Sequence, residues 1–465
     1  MTPGARPMLR LERKDKDSHM TADRIGAIVV GGGLAGTTAA RDLAHAGVRT
    51  VLVEARDRLG GRTSTQTIAG REVDTGGVYF HWFQSAIWRE VTRYELPVVE
   101  SALLTAARYL VGDADGVAAI SPEEFDERQR RALSAFWGDP GYPAALPRPF
   151  APQTDPRLAK LDAMSIEDRF RELGLDAEDE RVLRAAFSDY GRPDDTSLGW
   201  LLQRMSNAIW SNEAYNALFA VYRLRDGMAS LLEAMRHDGG FEVRLSSPVT
   251  AIERDDRGAT VTLRDGSQLT APVVVVATPV NVWRSIEFTP ALDGPHAAAT
   301  REGVTIPDVS SMVLHVRGVS EPVVMLSSFG DQPFEIMVTY TLLDDGQLLQ
   351  AFSVSGRVTC ADGHDRIAEA LREVLPEAEL VDVVGHDWPT DPFALGGWGS
   401  LRPGQLTRFI DVLDRPVGPL YFAGADIAPQ FSGLLTGAIE SGARAARRAR
   451  LGLTGRTPDG AGGPR

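Results

Sequence analysis

A chain of 465 residues has room for two or three folded units around a sizeable core. Its 43% hydrophobic and 24% charged residues are globular proportions and exclude a wholly disordered chain, and a net charge of −14 opposes general attraction to nucleic acid or an anionic membrane surface. One cysteine, Cys360, excludes an intrachain disulfide and a cysteine-based metal cluster, and no apolar run approaches the roughly 20 residues needed to cross a bilayer. Residues 1–20 are charged and carry no apolar signal-peptide core, so the expectation is a cytoplasmic protein with no metal site.

Residues 1–22 read as a loose extension. Ile25 to Val30 then predict a buried strand, followed directly by GGGLAG and the helical run LAGTTAARDLAHAG, which stops at Gly47. VRTVLVE resumes as a second strand ending at Glu54, completing a βαβ unit. Gly31, Gly33 and Gly36 fit G-x-G-x-x-G between that strand and helix. The first glycine permits the turn, the second lets backbone approach a pyrophosphate, and the third lets helix and strand pack closely. The helix N-terminus offers unpaired N–H groups to phosphate, and Glu54 stands where an acid accepts hydrogen bonds from an adenosine ribose. A second glycine pair, Gly60 and Gly61, precedes Arg62, allowing another close backbone approach with a guanidinium beside the diphosphate.

Residues 90–235 read as mostly helical, interrupted by a Pro-rich connection at 138–156. Helices are predicted near Ser165, in RVLRAAFSDY, in SLGWLLQRMSNAIW and in MASLLEAMRHDG. Residues 241–278 alternate like strands around the turn signals DDRG and RDG, 304–355 also read as strands, and 367–376 as a helix. The Gly/Pro-rich end, 452–465, reads as a mobile tail.

The run E-A-x-x-R-x-G-G-R at 54–62, followed by V-D-x-G-G at 73–77, resembles the flavin-containing amine oxidase family. SSPVTAIERDD, VVVVATPV and the closing GPLYFAGADIAPQFSGLLTGAIESGARAARR extend the resemblance. It implies an α/β fold: a doubly wound, Rossmann-type FAD-binding domain assembled from 23–90, 238–290 and 391–451, and a substrate domain of mixed sheet and helices from 91–237 and 291–390. By the same resemblance Glu54 meets the ribose, with Ala55 and Arg56 beside it. Gly61 and Arg62 meet the phosphate or flavin side, and Gly77, Val78 and Tyr79 approach the ring system. Backbone at Val249 serves the adenine, while Gly424 and Asp426 serve the ribityl–phosphate region. Gly433, Leu434 and Leu435 open the last helix toward the flavin's pyrimidine end, where the helix dipole favours the negative charge of reduction.

On the substrate side the resemblance makes Trp398 the first wall of an aromatic cage, and the second wall falls at Leu434, with Phe431 as a compensating ring. The lysine that many members hold near the flavin is replaced by Ser311 or Met312, and the cysteine of covalent members by Gly397, so FAD should be non-covalent. Candidates for a substitute acid–base group are Glu72, His81 and Tyr190, while Asp189 and Arg192 read as surface residues and His45 as packing or solvated. The expected reaction is oxidation of a C–N bond in a small amine or amide to the imine, with oxygen as acceptor. Internal trapping of the imine would give an oxidative cyclase of secondary metabolism. The alternatives are a flavin desaturase or oxidase acting on C–C bonds and a non-catalytic flavoprotein scaffold; a homodimer is compatible with each.

Overall fold

The computed structural model describes residues 24–101, 106–138, 148, 151–207, 216 and 221–454. The extension expected over 1–22 lies outside the described residues, as do most of the Pro-rich stretch and of the tail. The first strand, Ala27–Val30, is buried at every position, which places it in the middle of a sheet covered on both faces. It pairs in parallel with Thr50–Val53 on one side and Val273–Val276 on the other. Leu420–Phe422 and Glu242–Arg244 complete a five-stranded parallel sheet. Four well-separated stretches of chain therefore meet side by side at its strand ends.

Side-chain alternation along the first strand assigns its two faces. Ala27 and Val29 pack with Leu34, Ala35 and Ala39 of the first helix, Leu34–His45, and with Leu231 and Met235 of the helix Gly227–Gly239. Ile439 and Ala445 of the last helix, Leu435–Leu453, join that layer. Ile28 and Val30 face the other way, toward Val261, Leu263 and Leu269 of a four-stranded sheet. Helices thus cover one face of the parallel sheet, and a sheet backs the other.

First and last helices touch backbone to backbone. A Cβ at Gly442 would collide with the Ala35 carbonyl oxygen, and one at Gly36 would collide with the carbonyl of Gly31. A buried ion pair between Arg41 and Glu90, backed by the Tyr94 hydroxyl at 2.9 Å from Arg41, ties the first helix to the helix Ser85–Arg93.

A seven-stranded sheet forms the second half of the molecule, in the order Glu379–Asp387, Ser310–Arg317, Gly346–Ser353, Ile336–Leu343, Val323–Ser327, Arg108–Asp113 and Gly116–Ile120. Its last two strands interrupt the stretch 90–235, which is otherwise mostly helical as expected. They form a hairpin turning at Asp115–Gly116, where Asp115 N–H is held by the Asp113 carboxylate at 2.9 Å and Gly116 has φ +129°. Helix Pro122–Trp137 follows, and then Ile166–Leu173, Ala177–Ala186 and Leu198–Ser206, where the sequence predicts helices. Among the described residues no helix is long and apolar enough to cross a membrane.

Replacing Gly442 by valine is expected to force the first and last helices apart, at an overpacking cost of about 1–3 kcal/mol. The melting temperature of the holoprotein should fall, and flavin content should fall with it. An unchanged melt and flavin stoichiometry would show that this contact does not set the helix spacing.

Candidate active site

A cavity of about 850 Å³ runs between the strand ends of the parallel sheet and the seven-stranded sheet. Gly31, Gly33, Glu54, Ala55, Arg56, Gly61, Arg62, Gly77, Val78, Tyr79 and Val249 line it from the N-terminal and middle segments. Gly424, Gly433, Leu434, Leu435 and Trp398 line it from the C-terminal one. Gly36 is behind this wall, where its missing side chain lets the helix seat on Gly31.

The N-terminal loop is built for close approach. Gly31 turns with φ +103°, and the helix starts at Gly33, so no side chain occupies its first N–H groups. Gly60 N–H donates to the Gly32 carbonyl at 2.8 Å, so the second glycine pair stacks on the first and forms one continuous rim. Glu54 is 3% exposed, and its carboxylate accepts the N–H groups of Gly32 at 2.6 Å and Arg56 at 2.9 Å. A carboxylate has about four lone-pair sites, so capacity remains for ribose hydroxyls. Arg56 is anchored to Asp391 at 2.6 Å, and Asp391 to His386 at 2.8 Å. Burial pushes the Asp391 carboxyl up, but the bonds from His386 and Arg56 win and hold it well below the usual carboxylate range.

The C-terminal segment is tied to the N-terminal one by Arg62. Its guanidinium donates to the Gly397 carbonyl at 2.7 Å and pairs with Asp426 at 2.8 Å. Asp426 stands behind Arg62 rather than on the cavity, and its other oxygen accepts Val280 N–H at 3.3 Å. In this structure the acid expected at the ribityl–phosphate region pairs with Arg62. Asp74 of V-D-x-G-G also turns away from the cavity, capping Gly227–Gly239 through Met228 N–H at 3.0 Å. Burial raises its carboxyl to about 6, against the lowering effect of the Thr65 and Met228 hydrogen bonds. The last helix begins after Leu434 with no side-chain cap, leaving its first N–H groups to the cavity.

These features fit FAD. The glycine rim would be filled by any Cβ, two uncapped helix N-termini open on the same space, and the buried Thr278 hydroxyl on its wall has no partner. Glu54 would hold the ribose and the first helix the diphosphate, and the last helix would meet the flavin end; the bound group supplies a two-electron acceptor. Gly397 has no room for a side chain, because a Cβ there would collide with Val309, and Cys360 is not on the cavity. Both are consistent with a non-covalent cofactor.

At the front, Trp398 donates Nε1–H to the Asp189 carbonyl at 2.7 Å and meets Phe352 edge to face at 5.9 Å. Leu434, Ile336 and Val338 add apolar wall. Strand alternation resolves the missing-lysine position: Ser311 lines the cavity and accepts from Gln350 Nε2 at 3.1 Å, while Met312 is fully buried in the opposite core. Phe431 is not on the cavity and does not compensate for Leu434.

The three acid–base candidates are elsewhere. Glu72 is exposed on the hairpin Thr65–Ile68/Arg71–Asp74, accepting from Thr67 at 2.8 Å. His81 is buried among Trp82, Phe83 and Tyr222, and burial lowers its pKa. Tyr190 is fully buried between Phe187 and Trp200. Asp189, read from sequence as a surface residue, instead lines the cavity, together with Phe352, Gln129 and Arg204, which the sequence reading passed over. Nothing local marks them, since each is brought in by the packing of a distant element.

Glu54→Ala or Arg62→Ala should lower FAD affinity about ten- to a hundredfold, the loss of one charge-assisted hydrogen bond of roughly 1.5–3 kcal/mol. Equilibrium flavin binding to apoprotein measures it, and wild-type affinity in both variants would overturn the cofactor placement. Acid precipitation should release all flavin to the supernatant; flavin retained on the denatured chain would overturn the non-covalent assignment.

Comparison with known proteins agrees with this geometry. The profile of the family described as "Flavin containing amine oxidoreductase" matches residues 34–450. The nicotine dehydrogenase of Pseudomonas putida (strain DSM 28022 / S16) is 34% identical over 91% of this chain and 88% of its own length. The (S)-6-hydroxynicotine oxidase of Paenarthrobacter nicotinovorans is 30% identical over 89% and 97%. Among solved structures, cyclohexylamine oxidase from Brevibacterium oxydans IH-35A matches with a TM-score of 0.75 at 21% identity, covering 93% of this chain and 100% of that one. Wild-type putrescine oxidase bound to putrescine matches with a TM-score of 0.75 at 21% identity, over 91% and 98%. The chain belongs to the flavin-containing amine oxidoreductase family and is an FAD-dependent oxidoreductase of amine C–N bonds.

Proposed function

We propose that the substrate is a small amine whose nitrogen is in or beside an apolar ring, oxidised at the C–N bond to the imine. The observation that carries this is the front wall. Trp398 is fixed by its hydrogen bond to the Asp189 carbonyl and braced by Phe352, and Leu434, where the resemblance places the second cage wall, lines the same cavity as an aliphatic side chain. A flat aromatic face together with a branched aliphatic side chain suits a bulky saturated ring better than a slender alkylamine. The relatives that act on nicotine and 6-hydroxynicotine support the same class.

The chain's part in the reaction is to exclude water and to orient. Ile336, Val338, Phe352 and Leu434 make the space in front of Trp398 apolar, so that an amine bound there is held in its neutral, oxidisable form. Oxygen is the proposed acceptor, and aerated buffer mixed with reduced enzyme measures it. Hydrolysis or internal trapping of the imine is read from the products.

Anaerobic mixing of holoprotein with (S)-nicotine, cyclohexylamine or putrescine tests the proposal: a cyclic amine should bleach the flavin faster than putrescine. Bleaching only by a C–C desaturation substrate, or by nothing, overturns it. Trp398→Ala should slow bleaching on the order of a hundredfold while keeping its flavin, because misplacement of about 1 Å has that effect. A flavin-replete variant with unchanged kinetics would remove Trp398 from the site.

A further inference from the structure

The apolar front creates a proton problem. An alkylammonium titrates near ~10, like a lysine side chain, so an amine arrives charged at neutral pH and must lose a proton before its C–N bond can be oxidised. Lys160, on the helix Leu158–Ala163, is the one lysine among the described residues, and it is not on the cavity. Ser311 cannot act as a base of the required strength. Three carboxylates line the cavity among the described residues: Glu54, Asp126 and Asp189. Glu54 is engaged by two backbone N–H groups at the dinucleotide end, and Asp126 is on the helix Pro122–Trp137. Only Asp189 belongs to a residue hydrogen-bonded to Trp398.

We propose that Asp189 is the carboxylate that receives the substrate ammonium and takes its proton, an inference that rests on the amine reading above. Asp189 is in the turn Ser188–Tyr190, directly after the helix Ala177–Ala186. Its carbonyl fixes the Trp398 ring at 2.7 Å, while its carboxyl oxygen Oδ1 is buried with no hydrogen-bond partner. A buried, unpartnered carboxyl oxygen is costly in a folded protein and calls for a donor; the ammonium N–H is that donor. The proton passes from nitrogen to the carboxylate, leaving a neutral amine and a neutral carboxylic acid, with no bond to carbon changed in this step.

The surroundings favour the neutral pair. Burial raises the Asp189 carboxyl to about 7, with Arg204 pulling it down. The same dry pocket lowers the pKa of a bound ammonium, so the two values approach each other. Arg204, on Leu198–Ser206, acts both ways: its positive charge disfavours a neighbouring ammonium but also stabilises the Asp189 carboxylate against protonation. Of the other charged groups nearby, Arg192 is stacked over the Phe329 ring, and Asp126 and Arg130 line the same cavity from Pro122–Trp137.

The test uses flavin-replete wild type, D189N and D189E. D189N keeps the backbone carbonyl that holds Trp398 and removes only the base. The first probe is tert-butylamine, which has no hydrogen on its nitrogen-bearing carbon and cannot be oxidised, titrated from about pH 6 to about 10 against the flavin absorbance. Ammonium and carboxylate share one proton, so wild-type binding should be bell-shaped, rising through about 7 as Asp189 ionises and falling near ~10 as the amine loses its own proton. D189N should bind at least tenfold more weakly near neutral pH and lose the acidic limb. The second probe is cyclohexylamine under anaerobic conditions: flavin reduction in D189N should be slowed at least tenfold at neutral pH and recover as pH approaches ~10, where the free amine needs no base. Wild-type binding and pH dependence in D189N overturn the proposal, as does a wild-type profile without the acidic limb. Should D189N fail to hold flavin, a bell in wild type and D189E supports the assignment and its absence in both overturns it. If no amine reduces the wild-type flavin while the tert-butylamine bell depends on Asp189, the oxidation reading fails and the ammonium site stands.

Discussion

Two contacts in which backbone meets backbone hold this molecule's working geometry. The first helix can rest on the Gly31 carbonyl only because Gly36 has no side chain, and the last helix can rest on Ala35 only because Gly442 has none. Each contact brings a helix N-terminus to the mouth of the parallel sheet, and the two together direct both termini into one cavity. Unpaired N–H groups at both ends of the space make an anionic dinucleotide the natural occupant. The net charge of −14 makes this local positive field a matter of backbone dipoles and a few arginines rather than of overall composition.

Arg62 extends the same logic to the front. By spanning the Gly397 carbonyl and Asp426 it links the N-terminal glycine rim to the segment that carries Trp398 and to the start of the last helix. Asp426 is 6% exposed, and its pairing with Arg62 is a positioning device: it fixes a guanidinium at the seam between segments more than 330 residues apart in sequence. The substrate end is built from the other half of the molecule, whose seven-stranded sheet contributes Ser311, Ile336, Val338 and Phe352 from alternate positions. The site exists only where these two bodies of structure meet, the usual location for a ligand pocket.

The cofactor half was largely legible because its requirements are local. A tight turn, a close helix approach and an acid at the end of the second strand each need a residue type at a fixed offset, so Gly31, Gly33, Gly36 and Glu54 can be read directly. Contacts between distant segments are less legible: the Arg62–Asp426 pair, whose partners are far apart in sequence, has no local signal. The hairpin Arg108–Asp113/Gly116–Ile120 was missed although its Asp-Gly turn is a local signal, because the flanking helical pattern dominated the segment.

Catalytic candidates failed for a different reason. Glu72 and His81 flank the V-D-x-G-G segment and Tyr190 sits at a helix end, but chemical type and sequence position do not fix orientation, which is not a local property. A strand places neighbours on opposite faces, so Glu72 turns to solvent while its neighbour Val73 is buried. Asp189 and Tyr190 are adjacent, yet the turn that holds them puts Asp189 on the cavity and the Tyr190 ring in the core, the reverse of the sequence expectation. The sequence by itself determined the family, the dinucleotide loop and the absence of any lysine beyond Lys160. Only the tertiary structure decided which acidic residues line the cavity, because burial and the choice of face come from packing between elements that the chain brings together from afar.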